Sequence, residues 1–489
     1  MSADQIGFAL IVLGLFLLLG KVVRVNVGWV QKLFLPSSII GGFLILLLGP
    51  QVLGRVGGPV GENGLFTQPM LDVWSALPGL LISVVFATMF LGQDLPTPRR
   101  AGKLVGPQLA LGVAMGSGQY VVGLLLAALV LVPLLAAEPM VGALIEMGFE
   151  GGHGTAAGMR PVLEDLGYGE GADLAVGLAT VGIVAGVVIG IALINWGVRT
   201  GRTEILKGDV QASVEEQKGL FRKDEYYPAG TMTSRPSSVE PLSLHMALVA
   251  VAILIGWCFL EALRWVEAQT YSSVLINGDT PLEVFAFVPL FPLALLGGVA
   301  IQAAAAAMGV DHLIDHQIML RIQGWALDFL IVAAIGTLSL EAIGSNIGSF
   351  LLLAVAGIAV NVGLFLWFAP RIIGRYWFER GIGDFGQSMG VTATGLILMR
   401  ITDPDAESPA FEAFGYKQLV FEPFFGGGLV TALAVPVIAL TGPWPLFSVM
   451  FALFLVALGT GWFYFRPRAD AERRELQEKG ADGVDAVTT

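Results

Sequence analysis

The chain has 489 residues, of which 55% are hydrophobic and only 13% are charged, and its mean hydropathy is +0.76. Soluble domains carry about 25% charged residues, so this composition indicates an integral membrane protein. The net charge of −12 argues against a nucleic-acid partner, which requires a basic surface.

Apolar segments long enough to cross a bilayer, which takes about 20 helical residues, recur along the whole chain. In chain order they are 5–23, 33–50, 74–92, 105–134, 174–197, 244–263, 284–305, 326–345, 350–369, 424–441 and 445–465. The first segment follows an acidic N-terminus and lacks a small-residue cleavage site, so we interpret it as a span and not as a signal peptide. Cys258 is the single cysteine, which excludes a disulfide within the chain.

Two polar, glycine-rich segments interrupt this apolar pattern, one near 137–160 and one near 384–400. Basic residues collect on the cytoplasmic side of membrane proteins, and this rule distinguishes two topologies. If both segments enter and leave on the same side, Arg55, Arg160 and Arg264 lie outside and the other 24 of the 27 Lys and Arg residues lie inside. A full crossing of both segments distributes the basic residues almost evenly. We therefore predict two re-entrant loops, an outside N-terminus and a cytoplasmic C-terminus, in the inner (plasma) membrane.

Charged stretches divide the spans into groups. Residues 199–241 are rich in Ser, Thr and Glu and predict a cytoplasmic linker between a first membrane repeat, 1–198, and a second, 242–442. An additional transmembrane helix is expected at 443–466, followed by a solvated cytoplasmic tail at 467–489. The predicted fold class is an all-α polytopic membrane protein with two repeats of about five transmembrane helices. Each repeat contains one re-entrant loop.

The two halves also resemble each other in short motifs that recur in the same order. The four matches are a Pro before Gly-Gly (Pro36 and Pro292), an initial Trp (Trp74 and Trp325), T-A-x-G (Thr155 and Thr392) and Gly-Tyr (Gly167 and Gly415). Because five spans and one re-entrant loop precede the linker, the second half begins on the opposite side of the membrane, so the repeats are predicted to be inverted. Inverted repeats with interrupted helices near the midplane are typical of secondary transporters.

The polar segments themselves predict a binding site. Glycine-rich backbone at membrane depth is tolerated where it is buried in protein or lines a wet cavity, and two loops that enter from opposite faces meet near the centre. Glycine permits close approach of the backbone, a helix that restarts after a turn directs N–H groups at an anion, and freed carbonyls and Thr hydroxyls coordinate a cation. The predicted substrate-binding residues are Glu150, Gly151, Gly152, His153, Gly154, Thr155, Gln387, Ser388, Gly390, Thr392 and Thr394.

Charged residues in and after the loops allow more than one interpretation. His153 either binds substrate or a proton, or it holds the turn through a hydrogen bond. Glu150 either offsets the charge of a cation or lies at the wet mouth of the site. Arg160 and Arg400 end the two loops, and they either pair with a carboxylate or anchor the loops at the membrane interfaces.

Polar residues outside the loop tips are also ambiguous. Gln119 and Asn361 lie mid-span at corresponding places in the two halves. Because a buried amide without a partner is costly, they either line the site or join helices. Asp384 either helps a cation to enter or caps its helix.

A family resemblance joins these observations. The motif "GGHGTAAG" beginning at Gly151, its T-A-x-G echo at Thr392 and "PSSIIGG" near the N-terminus resemble the bacterial sodium–glutamate symporter family, over roughly residues 7–441. The resemblance implies sodium-coupled uptake of glutamate or a related small carboxylate by alternating access, and a homodimer. It implies Na⁺ as the coupling ion, no other cofactor and no enzymatic activity. The sodium ligands are then expected among Gln119, Asn361, Asp384, Thr155 and Thr392.

Two other functions are consistent with parts of the sequence. A cation/proton antiporter would use Glu150, His153 or Asp384 as its proton carrier, although no paired aspartates lie mid-span. An intramembrane metalloenzyme would use His312 and His316 of "HLIDH", but the motif lacks a third ligand and a general base.

Overall fold

The computed structural model describes residues 2–32, 35–56, 61–93, 98–206, 218, 220–221, 226–270, 275–276, 280–281, 285, 288–403 and 407–485. These residues are almost entirely helical, with one antiparallel pair of two-residue strands, β1 (Leu275–Ile276) and β2 (Thr280–Pro281). Much of the predicted linker 199–241 and the last part of the predicted tail, 486–489, lie outside the described residues.

The first half of the chain ends with α11, a long apolar helix. The α-helices of this half are α1 (Ala3–Asn26), α2 (Gly28–Lys32), α3 (Ser37–Leu48), α4 (Leu53–Val56), α5 (Gln68–Thr88), α6 (Pro98–Leu126), α7 (Val132–Leu135), α8 (Leu144–Phe149), α9 (Gly152–Gly158), α10 (Arg160–Asp165) and α11 (Glu170–Arg199). A π-helical turn at Ala127–Leu131 joins α6 to α7, and a 3-10 turn at Pro139–Ala143 leads into α8.

The second half repeats this alternation of long and short helices. Its α-helices are α12 (Pro241–Thr270), α13 (Leu290–Met308), α14 (His316–Gly336), α15 (Leu340–Ser345), α16 (Ile347–Trp367), α17 (Ala369–Ile372), α18 (Trp377–Thr402), α19 (Ala410–Phe421), α20 (Leu429–Thr441), α21 (Pro443–Thr460) and α22 (Arg466–Asp485). A 3-10 turn at Asp311–Leu313 precedes α14, and a π-helical turn at Gly461–Phe465 joins α21 to α22.

Ten helices among the described residues are long and apolar enough to cross a membrane, and each overlaps a predicted span. The remaining predicted span, 424–441, is shorter than expected, because α20 has only 13 residues. Gly426 and Gly427 precede it with φ angles of +69° and +105°, which an α-helix does not accommodate. The predicted span 326–345 is displaced, since α14 begins ten residues earlier behind Asp315, whose side chain accepts from the N–H of Ile318 at 2.8 Å.

Two glycine contacts bring the first two long helices of each half together. A Cβ atom at Gly41 in α3 would lie 2.6 Å from the carbonyl oxygen of Phe16 in α1. A Cβ atom at Gly297 in α13 would lie 2.0 Å from the carbonyl oxygen of Ala252 in α12. Only glycine allows backbones to approach so closely, so each helix pair is in close contact at a glycine.

The glycine that follows in each half makes a second contact of the same kind. A Cβ atom at Gly42 in α3 would lie 2.7 Å from Ile335 in α14. A Cβ atom at Gly298 in α13 would lie 2.4 Å from the carbonyl oxygen of Ala87 in α5. Each Gly-Gly pair thus joins its own half through one glycine and the opposite half through the other.

The contacts between helices divide most of them into two groups. The scaffold bundle consists of α1, α3, α5, α12, α13 and α14, in which α5 packs against α14, α3 against α14 and α13 against α5. The hairpin bundle consists of α6, α8–α11, α16 and α18–α21, in which α6 packs against α16, α19 and α21, and α11 packs against α8, α9 and α18. Helix α9 joins the two bundles, because it also contacts α5 and α14.

Candidate functional site: two helical hairpins that meet at their tips

Residues 139–165 form a first helical hairpin, hairpin 1, which lies against α11. Its outgoing arm, the 3-10 turn and α8, ends where Phe149 contacts Gly182 near the middle of α11. The helix then breaks, and Gly152 has a φ of +68°, a conformation that favours glycine. The sequence therefore allows the chain to reverse at this point.

The returning arm, α9 and α10, runs back toward the start of α11. His153 lies 2.9 Å from the hydroxyl of Thr180, in the middle of α11. Seven residues later, Arg160 forms an ion pair of 2.7 Å with Asp173, in the first turn of α11. As the hairpin residue number rises, the number of its partner on α11 falls, so this arm is antiparallel to α11.

Both ends of hairpin 1 lie at the same end of α11. Burial raises the pKa of Tyr168, and the nearby carboxylates of Glu170 and Glu138 raise it further. Glu138 immediately precedes the outgoing arm, whereas Tyr168 and Glu170 follow the returning arm. Their proximity places the entry and the exit of the hairpin side by side.

Residues 377–402 form a second hairpin, hairpin 2, because α18 is interrupted at Gly390 and Val391. Val391 has a φ of +65°, which a β-branched residue rarely adopts and which costs of order 1–3 kcal/mol. The two arms pack against each other, since a Cβ atom at Gly386 would lie 2.7 Å from the Cα of Gly395. Residues nine apart in a continuous helix could not touch in this way.

Hairpin 2 approaches α11 from the end opposite to hairpin 1. Three contacts record its path along that helix: Phe378 with Gly197, Met389 with Gly182 and Leu398 with Gly190. Along hairpin 2, the contacted glycine of α11 is first near one end of that helix, then near its middle, and then nearer the same end again. Hairpin 2 therefore also reverses near the centre of α11.

The two tips touch each other beside Gly182. This glycine contacts Phe149 of hairpin 1 and the carbonyl of Met389 in hairpin 2. A Cβ atom at Gly152 would lie 2.2 Å from Cγ1 of Val391, so the tip contact requires glycine for space as well as for its φ angle. The two glycine-rich stretches that the sequence singles out thus form one structural centre.

Two amides hold the tip of hairpin 2. Gln119 in α6 and Asn361 in α16 both donate to the carbonyl oxygen of Ser388, at 2.9 and 2.7 Å. Gln119 also donates to the side-chain oxygen of Asn361 at 3.2 Å. The corresponding polar positions of the two halves are therefore in direct contact, and they both join helices and lie at the site.

The carboxylate of Glu146, which is not among the predicted site residues, fixes hairpin 1 through three hydrogen bonds. Glu146 is fully buried and accepts hydrogen bonds from Tyr120 at 2.6 Å, Thr431 at 2.8 Å and the N–H of Gly426 at 2.9 Å. All three donors are neutral. The sequence feature that could have identified Glu146 is an acidic residue inside an apolar segment. Such a residue usually has a function or belongs to a buried hydrogen-bond network.

A buried ion pair fixes hairpin 2, and its cation was also missed. Lys417 in α19 is fully buried, with Nζ 2.6 Å from Oε1 of Gln387 and 3.3 Å from the carboxylate of Asp384. Its ammonium group also lies 3.9 Å from the ring centroid of Phe421, within the range of a cation–π contact. A buried lysine is rare unless it is paired, so Asp384 and Lys417 stabilise each other.

Three buried oxygens at the tips lack a hydrogen-bond donor among the described residues: Oε1 of Gln119, Oε1 of Glu150 and Oγ of Ser388. The Ser388 hydroxyl lies close to the Glu150 carboxylate, but no well-aligned hydrogen bond joins them. Because an unpaired buried acceptor is costly, three in one place suit a hard cation, which prefers oxygen ligands.

A cavity of about 420 Å³ lies between the tips and the scaffold bundle. One wall is largely apolar and comes from α5 and α14, including Ile82, Phe86 and Leu327. The opposite wall comes from both hairpins and α19. The polar lining residues are Gln93, Glu150, His153, Thr155, Gln323, Gln387, Thr392, Gln418 and Glu422. Such a mixture of an apolar wall and a few polar groups is typical of a small-molecule site.

Comparison with known proteins agrees with this architecture. Residues 5–402 match the family described as sodium/glutamate symporter. The chain belongs to the sodium/glutamate symporter family. It is 27% identical over 307 residues to the sodium/glutamate symporter of Escherichia coli (strain K12), an alignment that covers 60% of this chain and 70% of that protein. The sodium/glutamate symporter of Shigella flexneri shows the same identity and coverage. The resemblance inferred from the loop motifs is thereby confirmed.

In this symporter-family protein, the predicted site residues occupy different positions relative to the cavity. The predicted substrate-binding residues that line it are Glu150, Gly151, His153, Gly154, Thr155, Gln387 and Thr392. The others of that set belong to the hairpin tips without lining the cavity: Gly152, Ser388, Gly390 and Thr394. Of the predicted sodium ligands, Thr155 and Thr392 line the cavity, whereas Gln119, Asn361 and Asp384 lie buried outside its lining.

The charged residues that end the loops also differ from each other. Arg160 pairs with Asp173 and so fixes hairpin 1 to α11, whereas Arg400 is exposed. In the "HLIDH" segment, Asp315 caps the N-terminus of α14. His316 is 2.9 Å from the carbonyl oxygen of Leu91. Among the described residues, no group of three His, Cys, Asp or Glu side chains is placed to bind a metal.

Proposed function

We propose that the protein is a secondary active transporter that takes up glutamate or a related small carboxylate together with sodium. The observation that carries this proposal is the meeting of two helical hairpins, tip to tip, beside a cavity and three unpaired oxygens. Membership of the sodium/glutamate symporter family supports it, as do the names of its relatives.

The sodium ion binds, in this proposal, between the two hairpins and α6. Glu150 supplies the negative charge, and the side-chain oxygens of Gln119 and Ser388 supply further ligands. These residues belong to three different segments, so a cation among them links the segments. Occupancy then orders both tips and neutralises a buried carboxylate, which otherwise costs several kcal/mol. Sodium binding would thereby favour the arrangement that binds the anion.

The anion binds in the cavity at the start of the returning arm of hairpin 2. That arm restarts at the break after Gly390, and Thr392 lines the cavity. The first N–H groups of a helix lack partners inside the helix, so they are donors for a carboxylate. The His153 ring, held by Thr180, gives the cavity a polar edge near the other tip.

The two halves act as inverted repeats with re-entrant hairpins. Equivalent Gly-Gly contacts, the Gln119–Asn361 contact and the opposite directions of the hairpins along α11 support this arrangement. We propose that the hairpin bundle moves against the scaffold bundle, so that the cavity opens to each side in turn. The apolar wall of α5 and α14 provides a surface along which it can slide.

The protein is proposed to lie in the plasma membrane with its N-terminus outside and its C-terminus in the cytoplasm, as a homodimer. The distribution of basic residues supports the orientation, and the family resemblance suggests the dimer. Light scattering of the purified protein with its detergent contribution subtracted tests the dimer. A mass near 52 kDa, that of one 51.6 kDa chain, would contradict it.

Uptake of radiolabelled L-glutamate into proteoliposomes tests the proposed function. An inward sodium gradient should drive accumulation, and a potassium gradient of the same size should not. Collapse of the sodium gradient with an ionophore should release the accumulated label. Equal uptake under both gradients, or none under either, would contradict sodium-coupled glutamate transport.

A further inference from the structure

One wall of the cavity carries a carboxylate that accepts hydrogen bonds from described residues at only one of its two oxygens. Glu422 follows the last residue of α19 and lines the cavity. Its Oε1 accepts from Thr392 at 2.8 Å and from Gln418 at 2.7 Å. No described residue donates to its Oε2, and the side chain is only partly buried. The carboxylate is thus held at one oxygen and open at the other.

The residues around Glu422 offer further acceptors. Gln418 turns its amide nitrogen toward Glu422 and Thr392, and its Oε1 is buried without a donor among the described residues. The hydroxyl of Thr392 donates to Glu422 and accepts from Gln418, which leaves one of its two lone pairs for another donor. Glu422, Gln418 and Thr392 together present three acceptor groups, the number of donors on a primary ammonium group.

The charge of the cavity also favours a cationic group at this place. Two carboxylates, Glu150 and Glu422, line it, whereas the described lining includes no Lys or Arg. Lys417 is nearby on α19, but its ammonium group is engaged by Gln387 and Asp384. Sodium at the hairpin tips would compensate Glu150, whereas Glu422 is influenced by the charge of Lys417 but forms no ion pair with a described residue.

We infer that Glu422, with Thr392 and Gln418, forms a subsite for the primary ammonium group of the substrate. This inference rests on the proposed function and sharpens it. The site selects an acidic amino acid over a dicarboxylate of the same length without an amino group. The carboxylate is a specificity-determining residue, because a site built for a hydrogen-bonding cation rejects an analogue that lacks it.

Glu422→Gln separates this role from a structural one. Glutamine keeps an oxygen that accepts from Thr392 and Gln418, and it removes the charge. Affinities for L-glutamate and glutarate are measured in sodium buffer by isothermal titration calorimetry on the purified full-length protein. We expect the L-glutamate affinity to fall by on the order of 10- to 100-fold, while the glutarate affinity stays unchanged. Glu412→Gln, on the exposed side of α19, is the matched control and should change neither affinity.

The possible results distinguish a failure of the ammonium subsite from a failure of the proposed function. An unchanged L-glutamate affinity in Glu422→Gln, or an equal loss for both ligands, would overturn the ammonium subsite while leaving sodium-coupled uptake by the wild type intact. If the wild type bound neither ligand, the proposed function and this inference would both fail. If Glu422→Gln did not fold, Glu422→Asp, which keeps the charge but shortens the side chain, should reduce L-glutamate affinity alone.

Discussion

Hairpin 1 and hairpin 2 compensate their buried charges in different ways. Glu146 of hairpin 1 is saturated by neutral donors, whereas Asp384 of hairpin 2 is paired with the cation of Lys417. Hairpin 1 contains a second buried carboxylate, Glu150, with an oxygen that lacks any donor among the described residues. Its counterpart in hairpin 2, Gln387, is neutral.

We interpret this difference as an indication of where the proposed sodium ion binds. An isolated buried carboxylate is costly, and pairing with a cation offsets that cost. Hairpin 2 obtains its cation from the chain through Lys417, which forms an ion pair with Asp384 although neither oxygen of that carboxylate accepts a hydrogen bond from a described residue. The charge of Lys417 also acts on Glu150, but Glu150 forms no ion pair with a described residue, so a sodium ion can take the place of a direct cationic partner. The asymmetry between two similar hairpins therefore suggests one sodium site at the tips, on the side of hairpin 1.

The largest effect is expected from Glu150→Gln. The substitution removes the charge that we assign to sodium binding, so sodium-dependent uptake of L-glutamate should fall below detection, by roughly 100-fold or more. Uptake is measured in proteoliposomes over a range of sodium concentrations. Glu164→Gln is the control, because Glu164 lies on the same hairpin but is half exposed and faces Arg160. A Glu150→Gln protein with the sodium dependence of the wild type would remove the proposed ion site.

Lys417→Met tests the compensation within hairpin 2. It leaves Asp384 buried without its cation, which typically costs about 3–5 kcal/mol, so the thermal unfolding temperature in detergent should fall strongly. The double variant Asp384→Asn with Lys417→Met removes both charges and should recover most of this loss. If the double variant were as unstable as the single one, Lys417 would act mainly through its packing against Phe421 and not through its charge.

Gly152→Ala tests the contact between the tips. The added Cβ would lie 2.2 Å from Cγ1 of Val391, and the φ of +68° adds a penalty of about 1 kcal/mol. We expect at least a tenfold loss of uptake, since about 1.4 kcal/mol corresponds to a factor of ten. Gly167→Ala is the matched control, because Gly167 has a φ of +79° and open space around it. Val391→Ala in the Gly152→Ala background should restore part of the uptake. Equal losses in Gly152→Ala and Gly167→Ala would show that the backbone conformation matters and the tip contact does not.

Local sequence signals predicted the glycine-rich tips and the amides Gln119 and Asn361, but not Glu146 or Lys417. "GGHGTAAG" and "GQSMGVTAT" stand out because glycine and polar residues are unusual inside apolar spans. Glu146 meets Thr431 across 285 residues, and no local pattern encodes that distance. Lys417 lies in a stretch with several charged residues, a composition that suggests a solvated loop. Only the fold shows that α19 is a helix that buries this lysine against Asp384.

The smallest effect is expected from Tyr120→Phe, which tests the neutral compensation of Glu146. The hydroxyl at 2.6 Å is one of three donors to that carboxylate, and its loss should cost about 1–2 kcal/mol, less than the loss of Lys417. Tyr168→Phe is the control, since Tyr168 is also buried but its hydroxyl makes no hydrogen bond to a described residue. Thermal unfolding of both variants beside Lys417→Met gives the comparison directly. If Tyr120→Phe destabilised the protein as much as Lys417→Met, neutral donors and a cation would contribute equally to the two hairpins. The charge asymmetry would then not explain why a mobile cation is needed at hairpin 1.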